Sequence, residues 1–416
     1  MATTTQSVRD VCLAARAAAL RLAKVTPGEK HASLHALADA LIERTPEILE
    51  ANARDLDAGR ESGLSAALLD RLALDEARIA AIAEQTREVA ELEDPVGETL
   101  ERFTRPNGLE IEKVRVPLGV VAVVYEARPN VTIDASALAL KSGNAIVLRG
   151  SSTAVHSNAI LVAIAADHMP TPDAAQLLVG DREQLAELAT QDELIDLIIP
   201  RGGDGLKRAL QAVATVPVIY AAAGNCHVYV DASADLDHAR AIITNAKTQR
   251  PGVCNAAETL LVHRAVAADF LPAALAELHA AGVELRGDEA TVALSGDIPV
   301  RRAADEDWET EYLALVLAIK VVDSPQDAIA HINAHGSGHS EAIVTSDEAA
   351  ARLFELGVDA ACVYVNASTR FTDGNEFGLG AEIGNSTQKL HARGPIALRE
   401  LCTIKYLVRG DGQIRI

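Results

Sequence analysis

Apolar residues along this chain change their spacing twice. In the N-terminal region they recur at helical intervals: Val8, Val11, Ala15, Ala18, Ala19 and Leu22 share one face, and Leu34, Leu37, Ala38, Leu41 and Ile42 form a second stripe. Thr26-Pro27-Gly28-Glu29 is a capping-box start with proline at the first helical position, and Thr45-Pro46 opens another helix in the same way. A further helix is expected from about Asp75 to Glu93. Residues 99–105 and 109–116 then read as extended, polar-rich runs joined by Pro106-Asn107-Gly108, and Asn-Gly is a strong hairpin turn. A charged ribbon of this kind buries little by itself, so it is expected to pack against another element or another subunit.

From Gly119 the pattern becomes an alternation of strands and helices. Val120–Tyr125 is a continuous apolar run, as in a strand buried on both faces. Helix from about Ile133 to Lys141, strand Ala145–Leu148, helix Val155–Asp167, strand Gln176–Val179, helix near 181–190 and strand Leu194–Ile199 follow in turn. Repeated βαβ units predict a doubly wound parallel sheet. A second alternation starts near His227: strand Val228–Val230, helix 235–249, strand Leu260–Val262, helix 265–280, then strands near 315–322, 341–344 and 361–365. The expected class is α/β, with two doubly wound domains plus a β-ribbon.

Composition narrows the function. A chain of 416 residues is too long for one core, which implies two or three domains. Aromatic residues are only 3%, so Ala, Val, Leu and Ile must fill the interior. The net charge of −21 argues against a nucleic-acid surface but leaves room for a local Arg or Lys pocket that takes a small anion. No apolar run reaches membrane-spanning length and no basic-then-apolar leader is present, so no membrane association is expected. The five cysteines (12, 226, 254, 362 and 402) show neither CxxC nor Cys/His ligand spacing, so no metal site is expected. Their odd number in a leaderless chain reads as reduced and cytoplasmic.

Open parallel sheets bind ligands at the carboxyl ends of their strands. Three strand-end loops stand out: Glu126-Ala-Arg-Pro-Asn-Val-Thr132, Arg149-Gly150-Ser151-Ser152 and Pro200-Arg201-Gly202-Gly203-Asp204-Gly205. Small residues at helix starts suit phosphate groups, and Arg149 and Arg201 add cationic donors. Each loop alone is weak evidence, since some such loops are only tight connections, and no GxGxxG fingerprint is present. Three in one sheet argue for a nucleotide site.

Cys254 lies between the Pro251-Gly252 turn and an Asn-Ala-Ala-Glu stretch that runs into an apolar strand. If the turn opens a helical segment, the helix start favours the thiolate and makes Cys254 a candidate nucleophile. A buried structural cysteine is the alternative. The long polar loop Asn366–Gly384, dense in Gly, Thr and Asn, reads as functional or mobile. Ser386–Pro395 carries Lys389, His391 and Arg393, for which a solvated connection is the alternative, and His335-Gly-Ser-Gly-His339 reads as a turn that could also bind a ligand. His227 and His263 read as structural.

Residues Asn245–His263, Tyr125–Thr132, Leu148–Ser152, Arg201–Gly205 and Asn366–Pro395 together resemble the gamma-glutamyl phosphate reductase family of the aldehyde dehydrogenase superfamily. The resemblance covers nearly the whole chain. It implies an aldehyde dehydrogenase-like fold: an NADP-binding domain over 1–98 and 118–223, a catalytic domain over 224–385 and an oligomerisation ribbon from 99–117 and 400–416. The implied reaction is reduction of L-glutamyl 5-phosphate by NADPH to L-glutamate 5-semialdehyde with release of phosphate, the second step of proline synthesis from glutamate. Cys254 would form a thioester. Its backbone N–H and Asn130 are the oxyanion donors expected, although by spacing from Asn144 the superfamily asparagine could align as near as Glu126.

By the same resemblance Arg149 and Ser151 would hold the adenosine phosphate side of NADP(H), Gly202 and Gly203 the pyrophosphate, and Glu311 the ribose. Arg128, Arg250, Thr369 and Arg370 are expected at the substrate's two anionic groups, and Glu376 or Glu382 at its ammonium. Hydrolytic relatives carry a glutamate where this chain has Val218–Gly224, which contains no carboxylate, so phosphate rather than water is the expected partner of the thioester. Asn385 stands where the family has an aliphatic residue, which puts local packing in question. A homodimer or dimer of dimers is implied, and the lability of an acyl phosphate raises a contact with glutamate 5-kinase. A hydrolytic NAD(P)-dependent aldehyde dehydrogenase and a non-catalytic nucleotide-binding protein are the rival readings.

Overall fold

The structure, a computed structural model, describes residues 7–220 and 223–415. The chain divides into two compact units: Met1–Tyr220 with Gly378–Gly384 and Ile396–Ile416, and Ala221–Phe377 with Asn385–Pro395. Ala221 and Ala222, inside the stretch without a carboxylate, lie outside the described residues.

In the first unit, helices Val8–Leu22, Pro27–Glu43, Thr45–Glu61 and Glu76–Glu91 follow the apolar stripes. The capping box is formed: Thr26 Oγ1 accepts from the Glu29 N–H, and the Thr26 N–H donates to Glu29 Oε2 at 2.8 Å. Leu37, Leu41, Ile48, Ile79 and Ile82 pack with Ile133, Leu161 and Ile164 from helices that flank the sheet.

The hairpin is β1 (Thr99–Thr104) and β2 (Glu110–Pro117), turning through Gly108 at φ +84°. A third strand, Cys402–Arg409, pairs antiparallel with β2 to complete the ribbon. Beyond it, β3 (Val120–Tyr125), β4 (Ala145–Gly150), β5 (Ala175–Leu177) and β6 (Leu197–Arg201) form a parallel sheet in the order β5-β4-β3-β6. Every residue of β3 is at most 1% exposed. At about 1.5–3 kcal/mol for each fully buried large apolar side chain, this one strand anchors the unit. Because the strands are parallel, Tyr125, Gly150 and Arg201 end side by side at one edge.

The second unit holds β7 (Cys226–Val230), β8 (Ala257–His263), β9 (Glu284–Gly287), β10 (Val300–Arg302), β11 (Val316–Val322), β12 (Ser340–Val344) and β13 (Cys362–Val365). They form one parallel sheet in the order β10-β9-β11-β8-β7-β12-β13. One face packs Val228, Val230, Leu260 and Ile319 with Ile243, Phe270 and Leu271 of helices Leu236–Thr248 and Arg264–Ala280. The other packs Tyr229, Leu261 and Ile343 with Ile332 and Phe354 of helices Pro325–His335 and Glu348–Gly357.

Candidate active site

Cys254 lies between helix Leu236–Thr248 and β8, in residues 249–256 that are turn and bend. No helix opens at the thiol, which corrects the expectation of a helix start there. The physical reason is the strand that follows. Residues from Ala257 onward are drawn into parallel ladders with β7 and β11, so the chain leaves the turn extended.

The loop is clamped on every side. Lys247 Nζ meets Glu258 Oε2 at 2.5 Å with both side chains fully buried, joining the helix end to the strand start. Burial pushes the Lys247 ammonium down and Glu258 up to about 7, while Lys247 draws Glu258 back. Asn255 Nδ2 donates to Thr372 O at 2.8 Å, Thr369 Oγ1 donates to Asn255 O at 2.7 Å, and Arg370 Nη1 donates to Asn255 Oδ1. Arg370 Nε reaches Gln249 Oε1 at 2.8 Å. Cys226 Sγ donates to Cys254 O at 3.2 Å, and Gly224 passes so close that any Cβ there would collide with the same oxygen. The Gly224 N–H is held in turn by Glu311 Oε1 at 2.7 Å.

Of the five thiols, only Cys254 is partly exposed; Cys12, Cys226, Cys362 and Cys402 are buried. Burial pushes Cys12 up to about 11 and Cys402 up to about 12, which makes them poor nucleophiles. Arg370 lies within electrostatic range of the Cys254 thiol. Burial, then Arg250, lowers its pKa, yet a guanidinium stays charged. A cation beside a thiol favours the thiolate. The positive charge found within range of Cys254 is therefore that of Arg370 and not of a helix start.

Thr369 and Arg370 thus bond Asn255, the residue after Cys254, and Arg250 lies within electrostatic range of Arg370. Thr369 is fully buried with its hydroxyl on Asn255 O, so its observed contact shapes the loop. Glu376 is exposed in the second unit, whereas Glu382 belongs to the first. Arg128 and Asn130 stand at the start of helix Asn130–Lys141 in the first unit, where Asn130 Nδ2 donates to Asp134 Oδ2 at 2.9 Å.

Arg149, Ser151, Gly202 and Gly203 line the carboxyl edge of the first unit's sheet. Arg149 Nη2 donates to Gly180 O at 3.2 Å and Asp181 O at 3.0 Å, while its Nε is buried without a partner. Ser151 Oγ accepts from the Ala127 N–H at 3.3 Å. Gly203 is the N-cap of the 10-residue helix Asp204–Val213, which has no side-chain cap, and open space surrounds the Cβ positions of Gly203 and Gly205. The Gly203 N–H rests on Glu126 Oε2 at 3.3 Å, and a Cβ at Gly202 would meet that carboxyl group at 2.9 Å. A carboxylate on this helix start indicates that its donors take an anion, and an unpartnered guanidinium N–H lies within electrostatic reach of it. These residues fit the phosphates of a nicotinamide dinucleotide.

An aldehyde dehydrogenase family model matches residues 1–293 and 302–406. The gamma-glutamyl phosphate reductase of Thermobifida fusca is 55% identical over 99% of this chain and 99% of its own. The chain belongs to the gamma-glutamyl phosphate reductase family, within the aldehyde dehydrogenases. The crystal structure of the gamma-glutamyl phosphate reductase from Thermotoga maritima superposes with TM-score 0.96 at 46% identity, covering 99% of this chain and 100% of that one. An acetylating aldehyde dehydrogenase from Geobacillus thermoglucosidasius shares the fold, with TM-score 0.68 at 19% identity over 98% and 97% of the two chains. Membership makes the chain an oxidoreductase, and aldehyde dehydrogenase family members use NAD(P). Among the described residues no helix is long and apolar enough to cross a membrane.

In this reductase-family chain Asn385 is 3% exposed, and both polar atoms of its amide are buried without a partner. Lys247, Glu258, Asn255 and Gly224 are the site residues to which sequence reasoning gave no role, and Glu126 was named only as a position where the oxyanion asparagine could align. A lone Lys in a helix and a lone Glu opening an apolar strand were the available signal for the first two; a close approach such as that of Gly224 leaves none.

Proposed function

We propose that the chain reduces L-glutamyl 5-phosphate to L-glutamate 5-semialdehyde with NADPH, releasing phosphate through a thioester on Cys254, in the second step of proline synthesis. The observation that carries this reading is a single accessible thiol, fixed in a clamped loop under Arg370.

The Cys254 thiolate attacks the acyl carbon; a C–S bond forms as the bond to the phosphate oxygen breaks, and phosphate leaves with the electron pair. The Cys254 N–H and Asn130 are the proposed donors to the oxyanion. When bound, NADPH supplies hydride to the thioester carbon. Expulsion of the Cys254 thiolate then frees the aldehyde. Arg128, Arg250 and Arg370 are assigned to the phosphoryl and α-carboxylate groups, and Glu376 or Glu382 to the ammonium. Thr369 serves by positioning Asn255.

NADP is preferred over NAD in this reading because Arg149, with its unpartnered Nε, suits a 2′-phosphate. Ser151, Gly202 and Gly203 take the remaining phosphates, and Glu311 the ribose. Ile404, Tyr406 and Val408 are 43%, 55% and 56% exposed at alternate positions of the ribbon's outer strand, which supports a homodimer or dimer of dimers joined through it. Light scattering that finds only monomer at micromolar concentration contradicts that assembly. Five cysteines without a disulfide suit a reducing, cytoplasmic setting.

Cys254→Ser tests the assignment. Nucleotide binding and fold are expected to persist while turnover is lost. Undiminished turnover in the variant contradicts covalent catalysis at this residue. A wild-type chain that binds NADP but never turns over favours a binding protein instead.

A further inference from the structure

Two segments that this chemistry leaves unused, His335–His339 and Ser386–Pro395, meet in the second unit. They border a cleft of about 370 Å³. It opens on the face of the seven-stranded sheet opposite the nucleophile. Side chains alternate along a strand. Cys226 and Ser340 turn toward the Cys254 loop, meeting Cys254 O and Thr372 Oγ1. His227 and Glu341 turn the other way, on the side of Tyr229, Ile343 and Phe354.

Glu341 forms the inner wall and is fully buried. Its Oε2 accepts the His227 backbone N–H at 2.7 Å and Nδ1 at 2.9 Å. Its Oε1 has no partner and faces Gly336, where a Cβ would stand 3.0 Å away. Ser337 Oγ, on the same wall, is a second buried orphan. Helix Pro325–His335 ends here, and a helix C-terminus favours positive charge. The interior therefore calls for a cationic donor.

The rim calls for the opposite. Lys389 Nζ and Arg393 Nη2 both pair with Asp359, at 2.5 and 2.8 Å, leaving two cations against one carboxylate. Arg393 Nε is buried without a partner. We propose that this cleft binds a small free α-amino acid, its ammonium on Glu341 Oε1 and Ser337 Oγ and its carboxylate on Lys389 and Arg393. A zwitterion satisfies both walls, whereas a simple anion or amine satisfies one.

Calorimetry on the full-length wild-type chain tests this with glycine, L-alanine, L-proline and L-glutamate, and with acetate and ethylamine as half-ligands. At least one amino acid is expected to bind one-to-one, about tenfold or more tighter than either half-ligand. That binding is expected to be lost in Arg393→Ala and Glu341→Gln and kept in Arg370→Ala. Arg393 lies at the rim, so its variant stays informative even if Glu341→Gln fails to fold. No binding by any of the four at millimolar concentration overturns the proposal. So does equal binding of acetate alone, or binding lost in Arg370→Ala but kept in Arg393→Ala.

Discussion

Gly224 runs directly against Cys254: a Cβ built on it would lie 1.4 Å from Cys254 O and 2.6 Å from Cys254 Cα. No flexible side chain can give way there, because the colliding atoms are backbone. Gly224→Ala must therefore push the Cys254 loop aside. Misplacement by about 1 Å can cost 100-fold in rate, so turnover is expected to fall by at least that factor while circular dichroism stays native. Near-normal turnover in this variant contradicts the fixed-loop account.

Lys247 and Glu258 hold the two ends of the same loop from a fully buried position. Removing one charge strands the other. Lys247→Met is expected to cost about 3–5 kcal/mol in urea denaturation, and Lys247→Met with Glu258→Leu to recover most of the loss. A double variant as unstable as the single one points to packing rather than charge.

Asn385 buries an amide with no hydrogen-bond partner, at a place where an aliphatic side chain makes no such demand. Asn385→Val is expected to raise stability by about 1–3 kcal/mol, seen as a higher denaturation midpoint. A lower midpoint places an unseen partner on the amide.

Burial pushes His339 down to about 4, whereas an unfolded imidazole titrates near 6.5. The unfolded state binds the extra proton between those values. His339 thus contributes stability that is full above pH 6.5 and declines as pH falls toward 4. At pH 5.5 the loss is about 1.4 kcal/mol. His331, pushed down to about 2 by burial first and then by His227, Lys320 and His335, acts in the same direction; Glu258, pushed up, acts against both. Comparison of wild type with His339→Asn isolates one share: the variant is expected to lose less stability between pH 7 and 5.5 by about that amount. Identical pH slopes sink the assignment.

Much of this molecule was legible in the sequence for identifiable reasons. Val120–Tyr125 announces a doubly covered strand because both of its faces are apolar, and Asn107-Gly108 marks a turn whose glycine takes positive φ. Asn385 was open to suspicion only through the family resemblance, which has an aliphatic residue there; its unpartnered amide shows in the structure. Strands β9 and β10, of four and three residues, are too short to show a period, and their pairing rests on β11 instead. The Lys247–Glu258 clamp spans 11 residues and forms only once the loop closes. Cys254 was readable as a candidate nucleophile, but the cation in electrostatic range of it was not, because Arg370 comes from more than 100 residues away.

The central claim is that Cys254 exchanges its acyl group with phosphate. The direct measurement is NADP⁺ reduction with L-glutamate 5-semialdehyde, with and without phosphate, on wild type and Cys254→Ser. Wild type is expected to turn over only when phosphate is present, with saturable dependence on it, and Cys254→Ser not at all. Wild-type turnover that persists undiminished without phosphate contradicts the account and makes the chain a hydrolytic dehydrogenase.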